Sequence, residues 1–179
     1  MVEPSTRGSM CLMSETRWLS EREQRIWRDF SAAVGMLREH LERQLQHDSG
    51  LPHTYYEVLV TLSEAPGRTM RMSELAEASR SSRSRLSHAV ARMEVNGWVH
   101  RTTCPDDKRG SFAHLTPSGF AVLEAAAPGH VEAVRGSLFD ALTPEQIVAL
   151  GEISAAIKDG LAPCCEAVAQ AEAEADAED

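Results

Sequence analysis

The sequence predicts a mainly helical protein carrying one small β-hairpin, with long helices on either side of its centre. Three observations predict it. Apolar residues recur at spacings of three and four through most of the 179 residues. Aromatic residues are only 5% of the chain, so alanine and leucine supply much of the apolar content. A single stretch, residues 98–115, changes to β-forming residues around a charged turn.

Taken in order, residues 1–17 show no sustained periodicity and are expected to form a flexible arm. From Trp18, the residues Ile26, Phe30, Ala33, Val34, Leu37, Leu41 and Leu45 form one stripe of a long amphipathic helix that ends near Asp48-Ser49-Gly50. About 28 helical residues span ~40 Å, more than a small core can cover, so residues 18–50 are expected to pair with a second subunit. Leu51-Pro52 opens a short helix with Tyr55, Val58, Leu59 and Leu62 on one face, closed by Ala65-Pro66-Gly67. Ser73 then offers a cap for a short helix holding Leu75, Ala76 and Ala78. After the polar turn Ser79-Arg80-Ser81-Ser82 comes a helix with Leu86, Ala89, Val90 and Met93 inward and Asn96-Gly97 as its left-handed C-terminal cap. Helix, short turn, helix is the arrangement of a helix-turn-helix.

Trp98–Thr103 and Ser111–Leu115 read as the two strands of a hairpin with a charged tip. Thr116-Pro117 caps and launches an Ala-rich helix that Pro128-Gly129 is expected to kink or interrupt. Thr143-Pro144-Glu145-Gln146 carries a capping box and starts a last helix, with Ile147, Leu150, Ile153, Ile157 and Leu161 on one stripe and an end at Pro163. The acidic, low-complexity stretch 166–179 is expected to be a disordered tail. The order defines a winged helix-turn-helix over 51–118, flanked by dimerisation helices over 18–50 and 119–165.

No apolar run approaches the ~20 residues that cross a bilayer, and the first residues lack the apolar centre of a secretory signal, so a cytoplasmic protein without a membrane partner is expected. The net charge of −9 conceals an asymmetry. Residues 68–109 hold nine Lys and Arg against five Asp and Glu, whereas residues 110–179 hold two against twelve. Affinity for a duplex depends on local phosphate neutralisation, so an acidic chain with one basic block can bind DNA.

In a helix-turn-helix the second helix enters the major groove with its N-terminal residues leading. Here that edge is Ser81, Ser82, Arg83, Ser84 and Arg85, followed by Ser87, His88 and Arg92. The arginines suit guanine edges or phosphates, and the serines are short donors that permit close approach. Arg101, Lys108 and Arg109 lie on the hairpin, where an arginine at the tip suits a narrow minor groove. Asp107 is placed to orient Arg109 through a charged hydrogen bond.

Four segments together resemble the MarR family of transcriptional regulators: Met72-Ser73-Glu74-Leu75-Ala76, the run from Arg92 through Asn96-Gly97-Trp98 to Arg101, the tip Asp106-Asp107-Lys108-Arg109-Gly110, and the exit Leu115-Thr116-Pro117-Ser118-Gly119. The likeness covers residues 18–162, with its specific part between Met72 and Gly119. It implies a homodimer with interlocked first and last helices, each winged lobe reading half of a palindromic operator. The family's Asp-x-Arg wing motif falls on Asp107 and Arg109. Many members are repressors released by small anionic or phenolic effectors bound between the dimerisation helices and the DNA-binding lobe; others respond to metal or to cysteine oxidation.

The expected function is therefore a homodimeric regulator of transcription, with a repressor relieved by a small-molecule effector as the leading reading. Trp27, Phe30, Tyr55 and Tyr56 are candidates to line the effector site, against the plainer reading of a packed aromatic stripe. No cofactor is required. A regulatory zinc at His40, His47 and His53, with His114 or His130 completing it, is an alternative to solvated surface histidines. Cys11, Cys104, Cys164 and Cys165 lack paired CxxC spacing and read as free thiols. Cys104, at the base of the wing beside Arg101 or Lys108, is the candidate for a thiol switch, and the vicinal pair Cys164-Cys165 for a soft metal or a bridge across the dimer. A helical dimer that binds a protein partner rather than DNA is the rival from another class. Enzymatic chemistry has no support: GxSxG, HExxH and a glycine-rich phosphate loop are all missing from the sequence.

Overall fold

The computed structural model describes residues 16–104 and 110–175, with side chains through residue 162. The chain divides into two compact units at Met36/Leu37. Its elements are α1 (Glu21–Ser49), α2 (His53–Glu64), β1 (Thr69–Arg71), α3 (Met72–Ala78), α4 (Arg83–Val95), β2 (Val99–Thr103), β3 (Ser111–Leu115), α5 (Pro117–Val134) and α6 (Pro144–Ala175). The fold is mainly helical with one small antiparallel sheet of order β1-β3-β2. Among the described residues no helix is long and apolar enough to cross a membrane.

In the first unit, Ser20 and Glu23 close a reciprocal capping box at the start of α1: the Ser20 amide donates to Glu23 Oε2 at 2.7 Å and the Glu23 amide to Ser20 Oγ at 3.3 Å. The apolar residues of this half-helix, Ile26, Trp27, Phe30 and Val34, are exposed in the single chain.

The second unit holds the core. Leu41 and Leu45 of the α1 stripe are buried. Gly50, at φ 62°, reverses the chain so that the Leu51 amide reaches the Leu45 carbonyl at 3.3 Å. Leu45 and Leu51 then pack with Val58, Leu59 and Leu62 of α2, Leu75 of α3, and Leu86, Val90 and Met93 of α4. On α2 the buried tyrosine is Tyr56; Tyr55, expected on the inner face, is only partly buried.

Val99, Ala113 and Leu115 carry the same core onto the inner face of the sheet. The sheet has one strand more than the predicted hairpin, because Thr69–Arg71 pairs along β3 with Met70 opposite Ala113. The short helix α3 begins two residues earlier than a cap at Ser73 requires, and its start is secured by Glu74 Oε2 accepting the Arg71 amide at 3.3 Å. Gly97, at φ 72°, supplies the expected left-handed turn after α4.

Thr116 caps α5 as expected, accepting the Gly119 amide at 3.0 Å. It also fixes α5 to the turn before β2, since its hydroxyl and that of Ser118 lie 2.7 and 2.6 Å from the Gly97 carbonyl. A side chain at position 119 would collide with the Trp98 carbonyl, which accounts for the glycine there.

Of the kink or interruption expected at Pro128-Gly129 the interruption does not occur, and the predicted end at Pro163 is corrected. The helix α5 is not interrupted at Pro128-Gly129 but runs on to Val134, then passes through a π turn, Arg135–Phe139. Gly129 serves close packing rather than termination: an added Cβ would lie 3.3 Å from Gln44 Nε2. The last helix does not end at Pro163 but continues to Ala175, so residues 166–175 of the expected tail are helical. Alanine and glutamate are strong helix formers, and an acidic helix needs no buried face to be well hydrated.

Candidate nucleic-acid interface

Ser82 makes α4 possible at this point in the chain. Its hydroxyl accepts the Arg85 amide at 3.3 Å, capping the helix, while Arg80, at φ 48°, turns the chain between α3 and α4. The four residues expected inward on α4 are buried, and this fixes the opposite side by rotation. Ser82, Arg83, Ser84, Arg85, Ser87, His88 and Arg92 are all exposed.

The exposed side of α4 has two flanks. Arg83 and Ser87, one turn apart, border an open cleft of about 370 Å³ together with Arg71, Ser73, Arg101 and Ser111. Arg85, His88 and Arg92 border a second, shallower concavity beside Thr54 and Tyr55 of α2. Guanidinium groups therefore stand on both sides of one helix, with serine hydroxyls between them. That arrangement suits an anionic polymer lying along the helix better than a compact ligand.

Ser81 departs from its predicted role: its hydroxyl is buried and has no hydrogen-bond partner among the described residues, so it is not part of the exposed surface of α4. Arg101 is also held differently. Its Nη2 lies 2.6 Å from Glu94 Oε2, its Nε donates to the same oxygen at 2.8 Å, and its backbone amide donates to Glu94 Oε1 at 2.9 Å. The guanidinium beside it holds the Glu94 carboxyl below the ordinary carboxylate range. Asp107, Lys108 and Arg109 lie outside the described residues.

Arg71 was missed by sequence reasoning. It sits at the junction of β1 and α3, where its Nη2 lies 3.0 Å from Cys104 Sγ and its guanidinium 5.6 Å from the centre of the Phe112 ring. Among the described residues Arg71 is thus a cationic neighbour of the buried Cys104, thirty-three residues away in sequence and brought close by the pairing of β1 and β2 to either side of β3. Cys11 lies outside the described residues, as do the side chains of Cys164 and Cys165.

The proposed zinc ligands do not converge. His40 is exposed, His47 contacts Asp48 at 2.7 Å, and His53 contacts Glu57 at 3.5 Å. Among the described residues no group of three or more His, Cys, Asp or Glu could hold a metal ion. His53 does approach His130, with ring centres 5.7 Å apart, and His130 packs on Tyr56 at 4.4 Å. Of the four aromatic candidates for an effector site, Tyr56 belongs to the core, Tyr55 borders the α4 concavity, and Trp27 and Phe30 are exposed in the first unit.

Comparison with known proteins places this geometry. Residues 49–110 match the model of the MarR family. The structure is similar to that of Sco3205 from Streptomyces coelicolor, a MarR family transcriptional regulator solved in complex with DNA, with a TM-score of 0.78, 56% identity, and coverage of 82% of this chain and 92% of that one. It is also similar to AbsC, a MarR family regulator from the same organism, with a TM-score of 0.73, 42% identity, and coverage of 86% and 98%. In sequence the chain is 33% identical over 93 residues to the transcriptional regulator HosA of Escherichia coli O111:H-, spanning 52% of this chain and 67% of that protein.

Proposed function

The chain belongs to the MarR family of DNA-binding transcriptional regulators, and from that premise we propose that it acts as a homodimeric repressor that reads a palindromic operator and is released by a small-molecule effector. The observation that carries this reading is the surface of α4. One side of the helix is sealed into the core, and the other presents Arg83, Ser84, Arg85, Ser87, His88 and Arg92 to solvent.

Placed in a major groove, the start of α4 brings Arg83 and Arg85 to guanine edges or the flanking phosphates. Arg92, two turns further on, reaches backbone. Asp107, Lys108 and Arg109 are assigned to the wing tip and the minor groove. The dimer rests on the apolar residues that a single chain leaves exposed: Ile26, Phe30 and Val34 on α1, and Ile153, Ile157 and Leu161 on α6. Two lobes related by a twofold axis would set their α4 helices one duplex turn apart, ~34 Å. An effector then acts by favouring a different spacing of these helices, a shift of population between a DNA-competent and an incompetent dimer.

The test is the double variant Arg83→Ala/Arg85→Ala, assayed on DNA upstream of the chain's own gene at fixed salt. The expected result is loss of the sequence-preferring complex with the dimer intact by sedimentation. Unchanged affinity would reject α4 as the reading helix. A wild-type chain that forms no salt-sensitive complex with any genomic fragment would favour the protein-partner reading instead.

A further inference from the structure

We propose that Arg101 is a positioning residue rather than a phosphate contact, and that the Glu94–Arg101 clasp fixes the angle between the reading helix and the wing so that both enter their grooves together. The inference rests on the DNA-binding reading above. It starts from geometry: Glu94 lies in the last turn of α4 and Arg101 at the middle of β2, and both carboxylate oxygens are engaged, by Nη2 and Nε on one and by the backbone amide on the other. Side chain and main chain of the wing strand are thus both tied to one residue of the reading helix. The pair is partly shielded, with side chains 33% and 28% exposed, so solvent competes for it less than for an open surface pair.

Strand alternation agrees. Arg101 lies on the same side of β2 as the buried Val99 and pairs across to the buried Ala113, so it points toward the core side of the sheet where α4 lies. The segment joining the two elements is a tight turn at Gly97, which sets where β2 begins. It does not set how far the strand swings about that point. The clasp, four residues beyond the turn, supplies that second constraint. Its two charges cancel, so Arg101 adds little to phosphate neutralisation, and its worth to binding comes through the wing.

This distinction predicts different salt behaviour. A residue that neutralises a phosphate lowers the slope of log K against log salt by about one only when it is itself removed, whereas a positioning residue acts through the wing contacts it holds, so removing either partner of the clasp changes the slope alike. The experiment uses the full-length dimer and a labelled duplex of the DNA upstream of its own gene, with Glu94→Gln, Arg101→Met, the double variant, and the exchange Glu94→Arg/Arg101→Glu. Each is read by affinity across a salt series, by hydroxyl-radical footprinting at the flanks of the half-sites, and by thermal melting.

The expected result is that Glu94→Gln and Arg101→Met each weaken binding about tenfold, the scale of one lost charged hydrogen-bonded pair. The double variant is then no worse than either single, the salt slope changes by the same amount in all three variants, and protection is lost at the flanks but kept at the centre of each half-site. The exchange recovers part of the loss. Arg101→Lys, which keeps the charge but not the forked geometry, also loses flank protection, and it provides the reading if a charge-removing variant fails to fold. The proposal is overturned if Glu94→Gln binds as tightly as wild type or more so, or if Arg101→Met lowers the slope by about one while Arg101→Lys retains full binding. If the wild-type chain itself forms no salt-sensitive complex, the DNA-binding reading fails, and this inference with it.

Discussion

His114 shows how much a single side chain can organise in a small sheet. Its Nδ1 lies 2.9 Å from the Thr69 hydroxyl on β1 and its Nε2 2.7 Å from the Thr102 hydroxyl on β2, so one ring from β3 spans all three strands. Thr69 donates its own proton to the Gly67 carbonyl at 3.1 Å, so it accepts from Nδ1–H, and Nε2 is left as the acceptor for Thr102. The neutral ring satisfies this arrangement. His100 stacks on it with ring centres 4.5 Å apart and planes within 8°. Burial first, and then the charge of His100, lower the His114 pKa from its ordinary 6.5; burial and His53 lower that of His130 in the same way. A histidine that binds its proton less firmly when folded leaves the unfolded chain holding more protons as the solution acidifies. The stability these rings contribute is therefore complete above pH 6.5 and is lost as pH falls through that value toward the lowered folded pKa. The expected outcome is a melting temperature that drops between about pH 8 and pH 5, with a shallower dependence in His114→Gln and shallower still in His114→Gln/His130→Gln. A slope unchanged by both substitutions would show that other groups carry the acid sensitivity. None of this network was legible in the sequence, because Thr69, Thr102 and His114 meet only through strand register.

Elements were legible where one periodicity dominated and obscure where a tertiary contact overrode a local signal. The helix α4 was readable in rotation and at its C-terminal end, because four inward residues, Leu86, Ala89, Val90 and Met93, fix the one and Gly97 marks the other, while its N-cap, Ser82, lay inside what read as a polar turn. The strand β1 was not, because three residues give no alternation to detect and its pairing partner lies more than forty residues away. Pro128-Gly129 carried a strong stop signal, yet α5 continues, its glycine taken up in close packing against Gln44. The same limit explains Arg101, whose charge suggested DNA and whose partner Glu94 lies on the far side of the Asn96-Gly97 turn. Opposite charges bracketing that turn were the available signal. The helix α6 has an apolar stripe with nothing covering it among the described residues. Ile153 and Ile157 are about half exposed in the single chain, at 54% and 43%, and a helix with such a face calls for a partner. If the proposed dimer forms through this stripe, Ile153→Glu/Ile157→Glu is expected to give a folded monomer in sedimentation equilibrium, with a near-native helical spectrum and more than tenfold weaker operator binding. A variant that remained dimeric would assign the stripe to some other contact.

At the scale of the whole molecule, the distribution of charge bears on the proposed twofold arrangement. The excess of Lys and Arg is confined to residues 68–109, while residues 110–179 carry twelve acidic side chains against two basic ones. A chain of net charge −9 gains nothing from general attraction to a duplex, and it gains affinity only in orientations that bring its basic block to the phosphates. In the proposed dimer, two lobes joined through α1 and α6 can both do so only if the half-sites lie on the same face of the DNA. Operator binding is therefore expected to be strongly phased. Inserting about five base pairs between half-sites turns them to opposite faces and should reduce binding to that of a single lobe, a loss of ~10²-fold or more, whereas inserting about ten restores the face and should recover part of the affinity. Competition binding with duplexes carrying insertions of increasing length measures this directly. A smooth decline with no recovery near one helical turn would mean that the two lobes do not act as a rigid pair.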